Sequence, residues 1–278
     1  MEQKDKDIFE QTTKFNTGIK LYMFQTGTIK TKIKFIKMNQ GEEPFEIPVP
    51  WFLIKHPKGD IIIDGGMPIE AAIDKHKHWG SVVEAYDPVM KKSEWCRDQI
   101  KTVNTNPEDI KYVIQTHLHL DHSGAIGHFP NATHITQRLE YDYAFNPDWF
   151  SQPAYIREDF DKPNIRWKFL QGRKTDFYDV HGDGVIKIIF TPGHTPGHQS
   201  VLVNLPKTGH MLFTGDACYT EDHWCDKCLP GLVASSSDAA ESVSKLRKVA
   251  KEHDATVVWG HDPISWKIWK KAPMFYYD

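Results

Sequence analysis

The sequence predicts an α/β fold in which two sheet-bearing halves pack face to face, and three observations lead there. A strand, a tight turn and a second strand recur in one order: Phe52–Ile54, Pro57-Lys58-Gly59, Ile61–Ile63, and later Val201–Val203, Pro206-Lys207-Thr208-Gly209, Met211–Phe213. Each hairpin runs into a Gly/Asp loop, Asp64-Gly65-Gly66 in the first copy and Thr214-Gly215-Asp216 in the second. The copies lie about 150 residues apart, too long a period for a solenoid but suited to a duplicated half-domain. Helical signals lie between and after these strands, and 278 residues are enough for one domain spanning 1–278.

The elements follow in order. Ile29, Ile33 and Phe35 alternate with Lys30, Lys32 and Lys34, predicting a strand over Ile29–Phe35 with one wet face. After the first hairpin, the turn Pro107-Glu108-Asp109 feeds a strand at Tyr112–Ile114, which puts His117 just beyond a strand end. The stretch Tyr141–Phe177 is rich in aromatics and prolines and reads as a helical insertion over approximately residues 141–178. Its rings are either an extra layer of core or an apolar cover over a site. Ile186–Phe190 is a further strand, followed by the second hairpin. Ser236-Ser237-Asp238 before Glu241 caps an amphipathic helix with Ala240, Val243, Leu246 and Val249 or Ala250 on one face, ending at Asp254. Thr256–Trp259 is a short buried strand running into Gly260-His261.

Composition narrows the partners. Net charge is −3 and hydrophobic content 40%, so no basic field awaits a polyanion, and nucleic acid is excluded as a substrate. Met1–Asp7 lacks an apolar signal-peptide core, and no long uncharged apolar run follows, which predicts a cytoplasmic protein with no membrane association. Of the four cysteines, only Cys225 and Cys228 have a ligand-like spacing, so Cys96, Cys218, Cys225 and Cys228 read as reduced thiols. A local site joining the pair to Cys218 and His223 ranks well below that.

The chemistry concentrates in Thr116-His117-Leu118-His119-Leu120-Asp121-His122-Ser123-Gly124, with His194, Asp216 and His261 as outlying members. His117 and His119 are two apart, so in an extended segment both point one way and can meet one ion, while Asp121 and His122 turn toward a second. Imidazole and carboxylate suit zinc, iron and manganese, and seven such groups serve two ions if Asp216 bridges. Two adjacent divalent cations make a nucleophile from water at neutral pH, so hydrolysis is the expected reaction. The other ten histidines read as ordinary hydrogen-bonded groups. His198, in Thr191-Pro-Gly-His194-Thr-Pro-Gly-His198, is a turn-stabilising or ligand-supporting residue rather than a ligand.

The His-x-His-x-Asp-His run, followed by a histidine, an aspartate and a final histidine, closely resembles the metallo-β-lactamase superfamily from about Ile29 to His261. The resemblance implies a four-layer αββα sandwich with its site at one edge of both sheets. It assigns one metal to His117, His119 and His194, the other to Asp121, His122 and His261, with Asp216 bridging, and zinc as the expected metal. Asp64 matches the aspartate that orients a ligand histidine. Tyr219, in Asp216-Ala-Cys-Tyr219, resembles the tyrosine of the N-acyl-homoserine lactone lactonases, where its hydroxyl helps hold the substrate carbonyl. Without that resemblance it reads as a tyrosine packed under the loop. The implied reaction is attack of a metal-bridging hydroxide on the lactone carbonyl, with Tyr219 stabilising the oxyanion and Asp121 carrying the proton to the leaving oxygen. The acyl tail needs an apolar trench, for which the aromatic insertion, Met67–Trp79 and the Trp266–Tyr277 tail are candidates.

Other readings share the ligands. A glyoxalase II-like thioesterase would want a basic patch for glutathione, and a β-lactamase proper would want a secretory signal. A di-iron oxygen reductase usually has glutamate where His119 stands. A non-catalytic metal-binding module remains the alternative outside enzymes. Exposed aromatics in the insertion and tail predict a homodimer.

Overall fold

Two sheets of unequal size dominate the computed structural model, which describes residues 18–278; the reading of Met1–Asp7 lies outside the described residues. The first sheet contains β1 (Lys20–Lys32), β2 (Pro44–Lys55), β3 (Asp60–Ile63), β4 (Asp87–Val89), β5 (Ile110–Ile114), β6 (Thr133–Gln137) and β7 (Arg166–Leu170), in the order β4-β1-β2-β3-β5-β6-β7. The second contains β8 (Phe177–Asp179), β9 (Ile186–Phe190), β10 (Gln199–Leu205), β11 (Gly209–Phe213) and β12 (Thr256–Val258), in the order β12-β11-β10-β9-β8. Both hairpins form where the sequence places them, with Phe52 opposite Ile63 in the first and Val201 opposite Phe213 in the second.

The alternation along each strand separates the layers, because successive side chains leave opposite faces. Ile61 and Ile63 join Val201, Val203, Met211 and Phe213 in the core between the sheets, where the rings of Phe52 and Phe213 meet at 4.4 Å. Ile62 faces the other way and packs with Trp95, Cys96 and Ile100 on the outside of the first sheet. Leu202 and Leu212 likewise face outward against Leu246, Val249 and Ala250 of the helix Ser236–Glu252. Helix, sheet, sheet and helix make the four-layer αββα sandwich that the family resemblance implies.

Several local expectations are corrected. β1 ends at Lys32, and Ile33–Ile36 is a single helical turn. A four-residue pattern with apolar groups at Ile33 and Ile36 satisfies a helical face as well as an alternating strand, and Ile36 is the buried member. In the long helix the buried stripe begins at Ala239, with Ala240 exposed; Ser235 accepts the capping bond from the Asp238 backbone N–H, and the helix ends at Glu252. Asp254 lies just beyond, at a φ of 49°.

The aromatic stretch is helical only in part. It holds most of the helix Arg138–Phe145 and a single turn at Arg157–Phe160, but then supplies β7, parallel to β6 at one edge of the first sheet, and its last residue, Phe177, opens β8. Many of its rings are core: Tyr155 and Phe160 are buried with Leu118 and Ile126. The chain closes with a tail along the free side of β1, where Leu21 and Tyr277 exchange backbone hydrogen bonds of 2.8 Å and the Ala272 N–H donates to the Met23 carbonyl. No helix among the described residues is long and apolar enough to cross a membrane.

Candidate metal centre

The seven residues singled out by the sequence converge although they come from four chain segments. Each segment follows a strand: His117–His122 after β5, His194 after β9, Asp216 after β11 and His261 after β12. Loops held by rigid strands place polar groups accurately while leaving them accessible. Asp64, beyond β3, adopts a left-handed φ of 63° at the start of a turn continued by Gly65, where a Cβ would lie 2.5 Å from that of Ala125.

Asp216 is the centre of the arrangement. Its Oδ2 lies 3.5 Å from His117 Nε2 and 3.3 Å from His194 Nε2, while Oδ1 lies 3.4 Å from His122 Nε2 and 3.1 Å from His261 Nε2. His119 turns its Nδ1 to within 3.0 Å of His194 Nε2. Asp121 faces the second group, 3.6 Å from His261 Nε2 and 3.7 Å from His122 Nε2. Two clusters result, His117, His119, His194 and Asp216 on one side and Asp121, His122 and His261 on the other, with the candidate ligand atoms of each within 4.8 Å of one another.

The far nitrogens of three of these rings, His194, His261 and His122, are already occupied. His194 Nδ1 donates to the Leu232 carbonyl at 3.0 Å and His261 Nδ1 to the Pro48 carbonyl at 2.8 Å, while His122 Nδ1 meets Asp64 Oδ2 at 2.9 Å. Donation there leaves an Nε2 lone pair directed inward, the tautomer a metal requires. Asp64 also accepts the Thr116 backbone N–H at 2.7 Å and its hydroxyl at 2.9 Å, so it anchors both ends of the dense run. His198 Nδ1 donates to the Thr191 carbonyl at 3.1 Å and its Nε2 accepts the Asp216 backbone N–H at 3.0 Å, so it braces the backbone that carries the Asp216 side chain.

The electrostatics fit divalent cations. Burial holds the imidazoles of His117, His119 and His194 below the usual histidine range, so they stay neutral and nucleophilic. Burial also opposes the charge on His122, but Asp216, Asp121 and Asp64 outweigh it and raise the affinity of that ring for a proton. For Asp216 burial favours the acid, yet the neighbouring His122 and His261 above all keep it ionised. His117 Nε2, His119 Nε2, His122 Nε2 and Asp216 Oδ1 are buried with no hydrogen-bond partner, an arrangement that costs free energy unless something positive lies among them. Nitrogen and oxygen donors in this number suit two such ions.

A cavity of about 440 Å³ opens onto this centre, and His119, Asp121, Asp216, Tyr219 and His261 form its floor. Its walls are apolar and include Ile29, Phe35, Ile36, Val82, Phe150 and Leu232. Of the predicted wall segments, only the insertion contributes, through Phe150, Pro153 and Ala154. Met67 and Trp79 are buried beneath the site instead, and Trp266 is part of the core between the sheets. The walls at Val82 and Leu232 escape the sequence because each lies on a turn or loop without periodicity, and Phe35 escapes it because its alternation reads as a strand where the chain makes a helical turn. Tyr219 lies with its hydroxyl 3.3 Å from His194 Nδ1.

The remaining candidates are quieter. The cysteines are free thiols, Cys218 buried and Cys225 exposed, and among the described residues none belongs to a metal-ligand cluster. Glu70, His78 and Asp159 also lie close together, but there His78 Nε2 bonds Asp159 at 2.8 Å, the ordinary partnership expected of a lone histidine.

Comparison with known proteins agrees with this geometry. The family model described as metallo-β-lactamase superfamily matches residues 45–261. An N-acyl homoserine lactonase AttM from Rhizobium radiobacter is 59% identical over 94% of this chain and 99% of its own length. The N-acyl homoserine lactonase AiiA of Bacillus thuringiensis subsp. kurstaki is 30% identical over 87% of this chain and 93% of its own. A solved N-acyl homoserine lactone hydrolase, with the product N-hexanoyl-L-homoserine at its catalytic metal centre, superposes with a TM-score of 0.82 at 28% identity, covering 92% of this chain and 98% of that one. With the sandwich, the strand-end ligand loops and the family match in agreement, the chain belongs to the metallo-β-lactamase superfamily.

Proposed function

We propose that this chain opens the lactone ring of N-acyl-homoserine lactones, with His117, His119 and His194 holding one zinc ion, Asp121, His122 and His261 the other, and Asp216 shared. The observation that carries the reading is the divided Asp216 carboxylate, one oxygen toward each histidine group, under an apolar cavity that ends on Tyr219. Relatives named for this activity, up to 59% identical, support it. Two divalent cations in such a site supply an activated water at neutral pH and a Lewis-acid contact for a carbonyl oxygen.

The protein's own groups do the rest. Burial, with Asp216 next, pushes the Tyr219 phenol well above its usual range, so it remains a hydrogen-bond donor at neutral pH. His194 Nδ1 already donates to Leu232, so it offers the Tyr219 proton no acceptor, and that proton is available to the carbonyl oxygen as it gains charge. Asp121, which lines the cavity, would take up the proton shed by the attacking water and return it to the departing ring oxygen. Ile29, Phe35 and Val82 take the acyl chain and exclude water.

Among the described residues no lysine or arginine lines the cavity, which disfavours the anionic glutathione thioester. The test is one preparation given hexanoyl- and dodecanoyl-homoserine lactone and S-lactoylglutathione. Ring opening should dominate, and preference for the thioester would overturn the reading. A homodimer belongs to the same proposal, supported by the exposed Trp149, Ile264, Ile268 and Met274. Sedimentation at monomer mass would remove it.

A further inference from the structure

We infer that Glu140 is a positioning residue for the His117, His119 and His194 metal position, a clasp that holds together the two loops supplying it. The inference rests on the dinuclear reading above.

Glu140 is completely buried on the helix Arg138–Phe145, and among the described residues it forms no ion pair. Burying a carboxylate without a countercharge is costly unless donors surround it, and the donors here have a pattern. One oxygen accepts the Leu118 backbone N–H at 3.0 Å and the Tyr155 hydroxyl at 3.0 Å; the other accepts the Thr195 hydroxyl at 2.5 Å. Leu118 lies between His117 and His119, and Thr195 follows His194. Tyr155 extends the grip, since its ring meets that of His119 edge-on at 4.6 Å. Every donor in this set is therefore bonded to, or packed on, a ligand of one metal position.

Only an acceptor with two coplanar oxygens serves both loops at once. The second loop is also pressed against the helix: a Cβ on Gly197 would lie 2.2 Å from the Glu140 backbone nitrogen, so the loop docks where only glycine fits. The other metal position is held differently, by Asp64 on His122 and the Pro48 carbonyl on His261. Loss of the Glu140 clasp should thus affect one position and spare the other.

The test is metal binding by the purified full-length chain, titrated with cobalt(II) against a competing chelator. Glu140→Gln keeps the shape but replaces one acceptor oxygen by a donor. It should weaken one of the two equivalents about 10- to 100-fold, the range for lost groups that orient ligands, and leave the other unchanged. Tyr155→Phe, which removes one donor and keeps the ring, should move the same equivalent in the same direction by less, and it carries the test if Glu140→Gln does not fold. In a His194→Ala background, Glu140→Gln should add little further loss. A lowered melting temperature with both affinities unchanged, or equal weakening of both, would overturn the inference. Fewer than two equivalents in the unmodified chain would instead sink the dinuclear reading.

Discussion

At the scale of single residues, Tyr219 and Phe35 test two different functions of the cavity. Tyr219→Phe removes a donor and leaves the ring that packs against His194 and His261, so both metals should stay while kcat for lactone opening falls about 10²-fold. Unchanged kinetics by a lactone-opening assay would remove the hydroxyl from the mechanism. Phe35→Ala shortens an apolar wall, and should raise KM for dodecanoyl-homoserine lactone about 10-fold with a smaller change for the hexanoyl substrate. Equal KM values for the two chain lengths would place the acyl tail elsewhere. The candidate ligands were legible because His117, His119, Asp121 and His122 crowd six positions with no structural use for so many imidazoles. Glu140 was not, since one glutamate on a helix has no spacing signature and its partners, Leu118 and Thr195, come from loops far apart in sequence.

Among the elements, the hairpins and the long helix follow from local rules, whereas the middle of the chain does not. Leu246 sits fully buried between the helix Ser236–Glu252 and the second sheet, and Leu246→Ala should cost about 2–5 kcal/mol in denaturant unfolding. Tyr141–Phe177 misled because aromatic density marks burial without saying whether helix or strand provides it; β7 forms only because β6 offers a parallel edge. Asp159 belongs to the same region and bonds His78 on the helix Glu70–Trp79, and that bond raises the affinity of His78 for its proton against the burial that opposes it. A folded-state pKa above the unfolded value means the pair stabilises fully below about pH 6.5 and loses that contribution as pH rises through the raised value. Asp159→Asn should therefore lower the melting temperature more at pH 6 than at pH 9. An equal loss at both would show that the bond does not depend on the proton.

For the whole molecule, the site joins the two sheets: His117 to His122 extend from the first, and His194, Asp216 and His261 from the second. Ions held there bind the folded state alone, so chelation should lower the melting temperature, and restoring about two equivalents should recover it. A melting curve indifferent to metal would separate the site from the stability of the fold. The halves themselves were readable from the repeated hairpin, but their pairing depends on contacts such as Phe52 on Phe213, which no local pattern announces.

The tail has a consequence for solubility. Without Ala272–Tyr277, the backbone N–H and C=O groups of Leu21 and Met23 would form an open, apolar strand margin of the kind that recruits strands from other chains. A chain cut before Ala272 should keep its lactone chemistry at low concentration and yet precipitate as concentration rises. Covering this strand margin would be a task for residues 272–277 separate from catalysis.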